Sequence, residues 1–128
     1  MVAYDHAQNR TKGAIGELHA ILFLKKKGYR ILEQNYYVRG GEIDIIAEKS
    51  NHTIAFIEVK AREDLRHGMP YESVTKSKLH RLSKSIQFYL LNNQYQKRKL
   101  SLEVISIILN PDMTVKHIDH YDDLSINM

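Results

Sequence analysis

The feature that most constrains this chain is a pair of apolar runs separated by a short polar turn, each interrupted or ended by a carboxylate. Ile43-Asp44-Ile45-Ile46 precedes Lys49-Ser50-Asn51, and Ile54-Ala55-Phe56-Ile57 then runs into Glu58-Val59-Lys60. Short apolar runs bounded by turn residues read as strands, here residues 42–48 and 52–60. The second run is apolar on both faces, the pattern of a central strand. Asp is depleted in strands, and a buried carboxylate is costly unless it is paired or binds a metal. Asp44 and Glu58 are therefore the residues that fold stability alone does not explain.

Strand geometry relates them. Side chains alternate, so Glu58 and Lys60 share one face and Val59 points to the other. A hairpin centred near Ser50 sets Asp44 opposite Phe56 and makes Glu58 its diagonal neighbour on the same face. Two carboxylates so placed form part of an oxygen-ligand site for Mg²⁺ or Mn²⁺, completed by a backbone carbonyl such as that of Val59 and by water. Lys60 supplies what carboxylates cannot: it orients or helps deprotonate an attacking water and offsets charge on a phosphoryl group. A buried ion pair with no chemistry is the competing reading of each carboxylate alone; the three residues together on adjacent strands favour a metal-dependent site.

The rest of the chain reads as one domain, residues 1–128 with a core of 10–121. Residues 10–27 form a helix with Ala14, Leu18, Ile21, Leu22 and Leu24 at helical spacing, Lys25 to Lys27 in its last turn and Gly28 as its stop. A β-prone segment covers 29–38, a turn 39–41 and a polar loop 61–70. A second helix covers 71–92, with Val74, Leu79, Leu82, Ile86 and Leu90 inward and Lys76, Lys84 and Gln87 outward. Strands at 100–109 and 115–121 complete the order α-β-β-β-α-β-β, an α/β fold with both helices packed on the sheet.

Composition narrows the chemistry. There is no cysteine, which excludes disulfides, thiolate zinc sites, iron–sulfur clusters and cysteine nucleophiles. The first twelve residues lack the apolar core of a signal peptide, and no stretch approaches the roughly 20 apolar residues of a membrane span, so a cytoplasmic location is expected. The net charge of +4 is unevenly spread: residues 60–99 carry +7 and residues 100–128 carry −4. A basic middle suits a polyanion, and it equally suits a solvated helix face. Seven histidines do not make a metal site: His117 and His120, three apart in a strand, point to opposite faces. His80 sits beside Lys78 and Arg81 on a solvated helix face. Tyr36 and Tyr37 can stack on bases, with one of the two expected in the core.

An Asp followed across a hairpin by Glu-x-Lys at a strand end resembles the PD-(D/E)xK nuclease superfamily. Longer motifs are more specific. Gly13-Ala14-Ile15-Gly16-Glu17, Lys27-Gly28-Tyr29-Arg30-Ile31-Leu32, Arg39-Gly40-Gly41-Glu42-Ile43-Asp44-Ile45-Ile46-Ala47 and Phe56-Ile57-Glu58-Val59-Lys60-Ala61-Arg62 resemble the YraN family. Gly68-x-Pro70-x-Glu72-x-x-Val74 and Lys78-x-x-Arg81-Leu82 continue the likeness up to small changes in spacing, over about residues 10–121. The resemblance implies a restriction-endonuclease-like fold, a mixed central sheet flanked by helices, similar to archaeal Holliday-junction resolvases. It also implies that Glu17 completes the metal site; Glu42 belongs to the same pattern and, on Asp44's face by strand alternation, either supports the site from behind or is simply a turn residue. Ile43 stands where the superfamily has its proline, and Glu103 where the family often has Asp. The expected function is a Mg²⁺- or Mn²⁺-dependent endonuclease acting on DNA, branched or structured DNA included. Asp44, Glu58 and Glu17 are its metal ligands, Lys60 positions the water, and Arg62, Lys78 and Arg81 contact phosphates. A homodimer would suit symmetric cutting of two strands. The alternative is a nucleic-acid-binding module on the same fold with little or no cleavage.

Overall fold

A computed structural model describes residues 2–63, 76–95 and 97–124. Helix α1 spans Val2–Lys26, followed by strands β1 (Arg30–Val38), β2 (Gly41–Glu48) and β3 (Ile54–Arg62). Helix α2 (Lys76–Asn93) and strands β4 (Leu100–Leu109) and β5 (Val115–Leu124) follow. The element order is the expected one. Helix α1 starts eight residues before the predicted start, β3 runs two residues into the predicted loop, and β5 is three residues longer than predicted. Residues 64–75, which hold Val74 and the start predicted for the second helix, lie outside the described residues.

The five strands form one sheet in the order β1-β2-β3-β4-β5. Only β3 and β4 are parallel, from Ile54↔Leu100 to Arg62↔Ile108, and the other neighbours are antiparallel. A parallel pair needs a crossover connection, and α2 lies within it. The sheet is thus mixed and flanked by helices, the restriction-endonuclease-like arrangement. Among the described residues no helix is long and apolar enough to cross a membrane.

The two faces of β3 bury different cores. On one, Ala55 and Ile57 meet Ala20, Ile21 and Leu24 of α1 together with Ile105, Ile107 and Leu109 of β4. On the other, Ile54 and Phe56 meet Leu82, Ile86, Tyr89 and Leu90 of α2. Fully burying an aliphatic side chain of this size contributes about 1.5–3 kcal/mol, which is why the central strand tolerates no polar residue before Glu58. Tyr36 belongs to this second core, edge-on to Tyr89 at 5.1 Å between ring centres, whereas Tyr37 is 73% exposed.

Helix α1 corrects its predicted face. Ile21 and Leu24 are buried as expected, but Leu18 and Leu22 are 62% and 59% exposed, and Ala14 is exposed too. The buried stripe runs through Gly16, Ala20 and Leu24 instead. Small residues there let the helix lie close to β3: a Cβ built on Gly16 would stand 2.5 Å from the Ala61 Cβ. The helix ends as its sequence dictates. Gly28 adopts φ 91°, and the amides of Gly28 and Tyr29 bond back to Lys25 and Leu24.

A second buried carboxylate pins the opposite part of the sheet. Glu103 is fully buried and receives hydrogen bonds from Tyr29 Oη, Ser101 Oγ and Lys49 Nζ, with His120 Nε2 at 2.8 Å. His120 turns inward while His117 stays exposed against Asp119, as strand alternation requires.

The Gly16 contact generates a test. Gly16→Ala should destabilise the protein by about 1–3 kcal/mol, the usual cost of overpacking. Ala61→Gly in the same chain should recover most of that loss. Urea midpoints of the parent and the two variants measure it, and no recovery in the double variant would show that α1 and β3 do not meet there.

Candidate metal centre

Strands β2 and β3 pair from Glu48↔Ile54 to Ile45↔Ile57. This register corrects the hairpin expected from sequence. Phe56 lies across from Ile46, not from Asp44, and the pairing ends one step short of Asp44 and Glu58. The turn is longer than a hairpin centred on Ser50 allows: Lys49 bonds Thr53 across it, with His52 at φ 68°.

The regular pleat stops at Asp44. Ile43 packs in the α2-side core and Ile45 in the α1-side core. Residues two apart in a regular strand share a face, so the backbone is displaced between them. The neighbouring strand shows the same fault. Pairs Gln34↔Ile45 and Tyr36↔Ile43 flank a position, Asn35 against Asp44, where pairing is interrupted, and Asn35 has φ 50°. In place of a ladder bond, the Val59 N–H donates to Asp44 Oδ2 at 2.9 Å. The Asp44 carboxylate therefore lies between β2 and β3, close to the plane of the sheet. Val59 enters the site by its amide, while its side chain packs on the α1 side.

A cleft of about 370 Å³ opens there toward α2, lined by Gly40, Gly41, Glu42, Asp44, Glu58, Lys78, Arg81 and Leu82. Gly41 sets its wall: a Cβ at this position would collide with Ser85 Oγ and lie 3.1 Å from the Arg81 carbonyl. Glu58 is only 6% exposed. Lys78 Nζ lies 3.4 Å from Glu58 Oε2, so the lysine expected to contact phosphate sits inside the carboxylate site. Arg81 lines the same cleft. Arg62 is half-buried at the end of β3, opposite Ile108.

Charge balance is poor for the carboxylates. Burial first, then the charge of Asp44, push the Glu58 carboxyl up to about 7, against the pull of Lys78 and Lys60. Burial also raises Asp44, opposed by the Val59 amide and both lysines. Glu17, half-buried on α1, is raised by burial and by the charges of Asp44 and Glu42, against the opposing pull of the Asn35 side chain. Glu17 thus feels the site electrostatically. Among the described residues, however, no three His, Asp or Glu side chains converge closely enough to hold a metal between them. Lys60 is lowered, chiefly by burial and then by the neighbouring Lys78.

Asp44 and Glu58 by themselves offer oxygen donors beside an open cleft, the ligand type that a hard divalent cation prefers. Asn35, at the interrupted rung, is not singled out by the sequence reading; Lys78 is, but as a phosphate contact and not as the partner of Glu58. Asn35 carried the same signal as Asp44, a strand-averse residue inside a β-prone run.

The raised Glu58 has a consequence for stability. Its folded-state carboxyl binds a proton more tightly than the unfolded one, so stability falls as pH rises from about 4.5 to about 7. Glu58→Gln should therefore raise the metal-free melting temperature at pH 8 and leave it nearly unchanged at pH 4. Differential scanning calorimetry at both pH values checks this, and equal melting temperatures at pH 8 would remove the strain assigned to Glu58.

The model of the uncharacterised protein family UPF0102 matches residues 16–107, a span containing every residue of this site. The chain is 39% identical to a UPF0102 protein of Trichlorobacter lovleyi over 119 residues, covering 91% of this chain and 94% of the relative. It is 43% identical to one of Dictyoglomus turgidum over 103 residues, 80% and 86% of the two chains. A third, of Persephonella marina, is 41% identical over 106 residues, 83% and 90% of the two. With a site of this kind and these relatives along most of its length, the chain belongs to the UPF0102 family, the one its YraN-like motifs resemble.

Proposed function

We propose that this protein is a divalent-metal-dependent endonuclease that cleaves phosphodiester bonds in DNA. The observation that carries the reading is the two carboxylates Asp44 and Glu58 lining one cleft where the β2–β3 pairing ends, with Lys60 and Lys78 against them. Asp44, Glu58 and Glu17, with the Val59 carbonyl, would hold Mg²⁺ or Mn²⁺, and Glu42 lines the same cleft. Bound there, the metal supplies Lewis-acid activation of the phosphoryl group and of water.

The chain's own residues do the rest. The Val59 amide fixes the Asp44 carboxylate. Lys60, the amine whose pKa is lowered, orients the attacking water and accepts its proton. Lys78 holds Glu58 in the free protein and offers its charge to a phosphate once a cation takes the carboxylate. Arg81 at the cleft and Arg62 at the end of β3 contact flanking phosphates. The Lys78–Glu58 pair also favours a second reading, a DNA-binding module without cleavage, because an ammonium already neutralises one carboxylate.

Single-turnover cleavage of a panel of duplex, flap and four-way-junction DNA separates the two. With Mn²⁺ the parent should cut at least one substrate and EDTA should stop it. Asp44→Asn should abolish cleavage. Lys60→Ala should lower the rate by about 10²- to 10⁴-fold, the contribution of a positioned acid or base, with Mn²⁺ and DNA still bound. DNA binding with no cleavage of any substrate by the parent would leave the binding module. Arg81→Ala tests the DNA path independently: the slope of log affinity against log salt should shrink by about one unit, and an unchanged slope would route the DNA elsewhere.

A further inference from the structure

We infer that the end of the sheet opposite the carboxylate cleft is a second DNA contact, a basic surface that takes the phosphate backbone flanking the cleaved segment. This rests on the nuclease reading above for the nature of the polyanion, and the residues concerned lie outside the nuclease motif.

Topology assembles the surface from stretches far apart in sequence. Strands β2 and β3 are antiparallel, so the turn between them lies at the end of the sheet away from Asp44 and Glu58. The start of β1 is at the same end, with Arg30 paired to Glu48, and so is the start of β4, with Leu100 paired to Ile54. Helix α1 finishes there, because only a short turn separates its last residue, Lys26, from Arg30. Lys25, Lys26, Arg30, Lys49 and the run Lys97-Arg98-Lys99 therefore share one end of the molecule. The basic segment 60–99 is thus divided: Lys78 and Arg81 line the cleft, whereas Lys97, Arg98 and Lys99 stand at the far end. Lysines in the last turn of a helix suit its dipole, which accounts locally for Lys25 and Lys26. The run 97–99 follows α2 by several residues and has no helix end to serve.

The arginines at this end are held in fixed positions. Arg30 donates Nε and Nη2 to Glu48 Oε1, and Arg98 donates Nη1 to Glu48 Oε2 at 2.7 Å and to the His52 carbonyl. The Arg98 guanidinium also lies over the Tyr95 ring, 5.3 Å from its centre. A guanidinium carries five N–H donors in a rigid fork, so each arginine keeps donors beyond those it gives to Glu48. Two open grooves flank the pair. One, of about 750 Å³, runs between Lys25 and Arg30 along the start of β1. The other, of about 570 Å³, lies between Lys49 and Lys99, with Asn51, Thr53 and Ser101 as neutral polar lining and Asp122 at its rim. Pinned guanidiniums and exposed lysines beside polar grooves match phosphate oxygens, which take up most contacts in DNA complexes. The distance suits a flanking contact. Five residues of β2 separate Asp44 from Lys49, about 17 Å at strand rise. Successive phosphates of one B-DNA strand advance about 3.4 Å along its axis. DNA running parallel to the strands therefore meets this surface about five base pairs from the cleft.

The test measures affinity of the full-length protein for a fluorescein-labelled DNA duplex in EDTA, by anisotropy over a range of salt concentrations, so that no cleavage is needed. Lys97→Gln with Lys99→Gln should shrink the slope of log affinity against log salt by about two units, one per lost phosphate contact, at an unchanged melting temperature. Lys116→Gln, which removes an exposed lysine of β5, should leave the slope as it is. Adding Arg81→Ala to the lysine pair should lower the slope by the sum of the two effects, because the two surfaces touch different phosphates. An unchanged slope in the lysine-pair variant, with Arg81→Ala still effective, overturns this inference and leaves the nuclease reading standing. An equal loss per charge in Lys116→Gln overturns it too, since net charge alone would then set affinity. A parent that binds DNA through Lys97 and Lys99 yet cuts no substrate keeps this inference and removes the nuclease reading. A parent that binds no DNA removes this inference.

Discussion

Strand β3 has to be buried on both faces and hydrogen-bonded on both edges, and the rest of the fold follows from where that requirement ends. From Ile54 to Ile57 both edges are paired and both faces are apolar. Beyond Ile57 the β2 side is released while β4 continues to Arg62. A strand edge left open inside a sheet presents amides that must find acceptors. The Asp44 carboxylate supplies one, taking the Val59 N–H. Parting the strands creates a notch, and the notch is what lets Glu58 and Lys60 sit on the central strand at all. Glu58 there reaches a cleft instead of a closed core.

Burial alone does not distinguish a working carboxylate from a structural one, and two glutamates on adjacent strands make the point. Glu103 is more deeply buried than Glu58. Yet its hydrogen bonds from His120, Ser101 and Tyr29 and the charge of Lys49 outweigh its desolvation, and its carboxyl is lowered. Glu58 has the charge of Asp44 across from it and only Lys78 and Lys60 in compensation, and its carboxyl is raised. The first is a satisfied network that ties α1's end to β4 and β5. The second is held in a form that a cation would relieve.

Much of this was written in the sequence, because carboxylates inside apolar runs violate a pattern that is easy to see. Asp44, Glu58 and Lys60 fall under that heading, as does the element order, which apolar periodicity and glycine stops define. The register of Asp44 did not, because it depends on one or two residues of turn length, and a turn with His52 in the left-handed region has no strong local code. The face of α1 was misread for a different reason. Apolar residues surround that helix, so several stripes fit the helical period, and the buried one is marked by Gly16 and Ala20, whose small side chains carry little hydrophobic weight. Lys78 was legible as a phosphate contact and not as a partner of Glu58; only the packing of α2 over the β1–β2 hairpin at Gly41 turns it toward that carboxylate. The interrupted rung at Asn35 was not legible either, because it exists only once β1 and β2 are paired.

The broken rung also explains how helices on opposite faces of the sheet serve one site. In an intact sheet, a side chain on β2 or β3 faces one helix or the other, never both. Asp44, displaced into the gap between the strands, is not confined to either face. Its charge reaches Glu17, carried by α1. Lys78, carried by α2, in turn pulls on Asp44 from the opposite side. The anomaly that made Asp44 conspicuous in the sequence is therefore the geometric condition for the site. Restoring a regular pleat at residues 35 and 44 would return each helix to its own core and leave Asp44 to one of them.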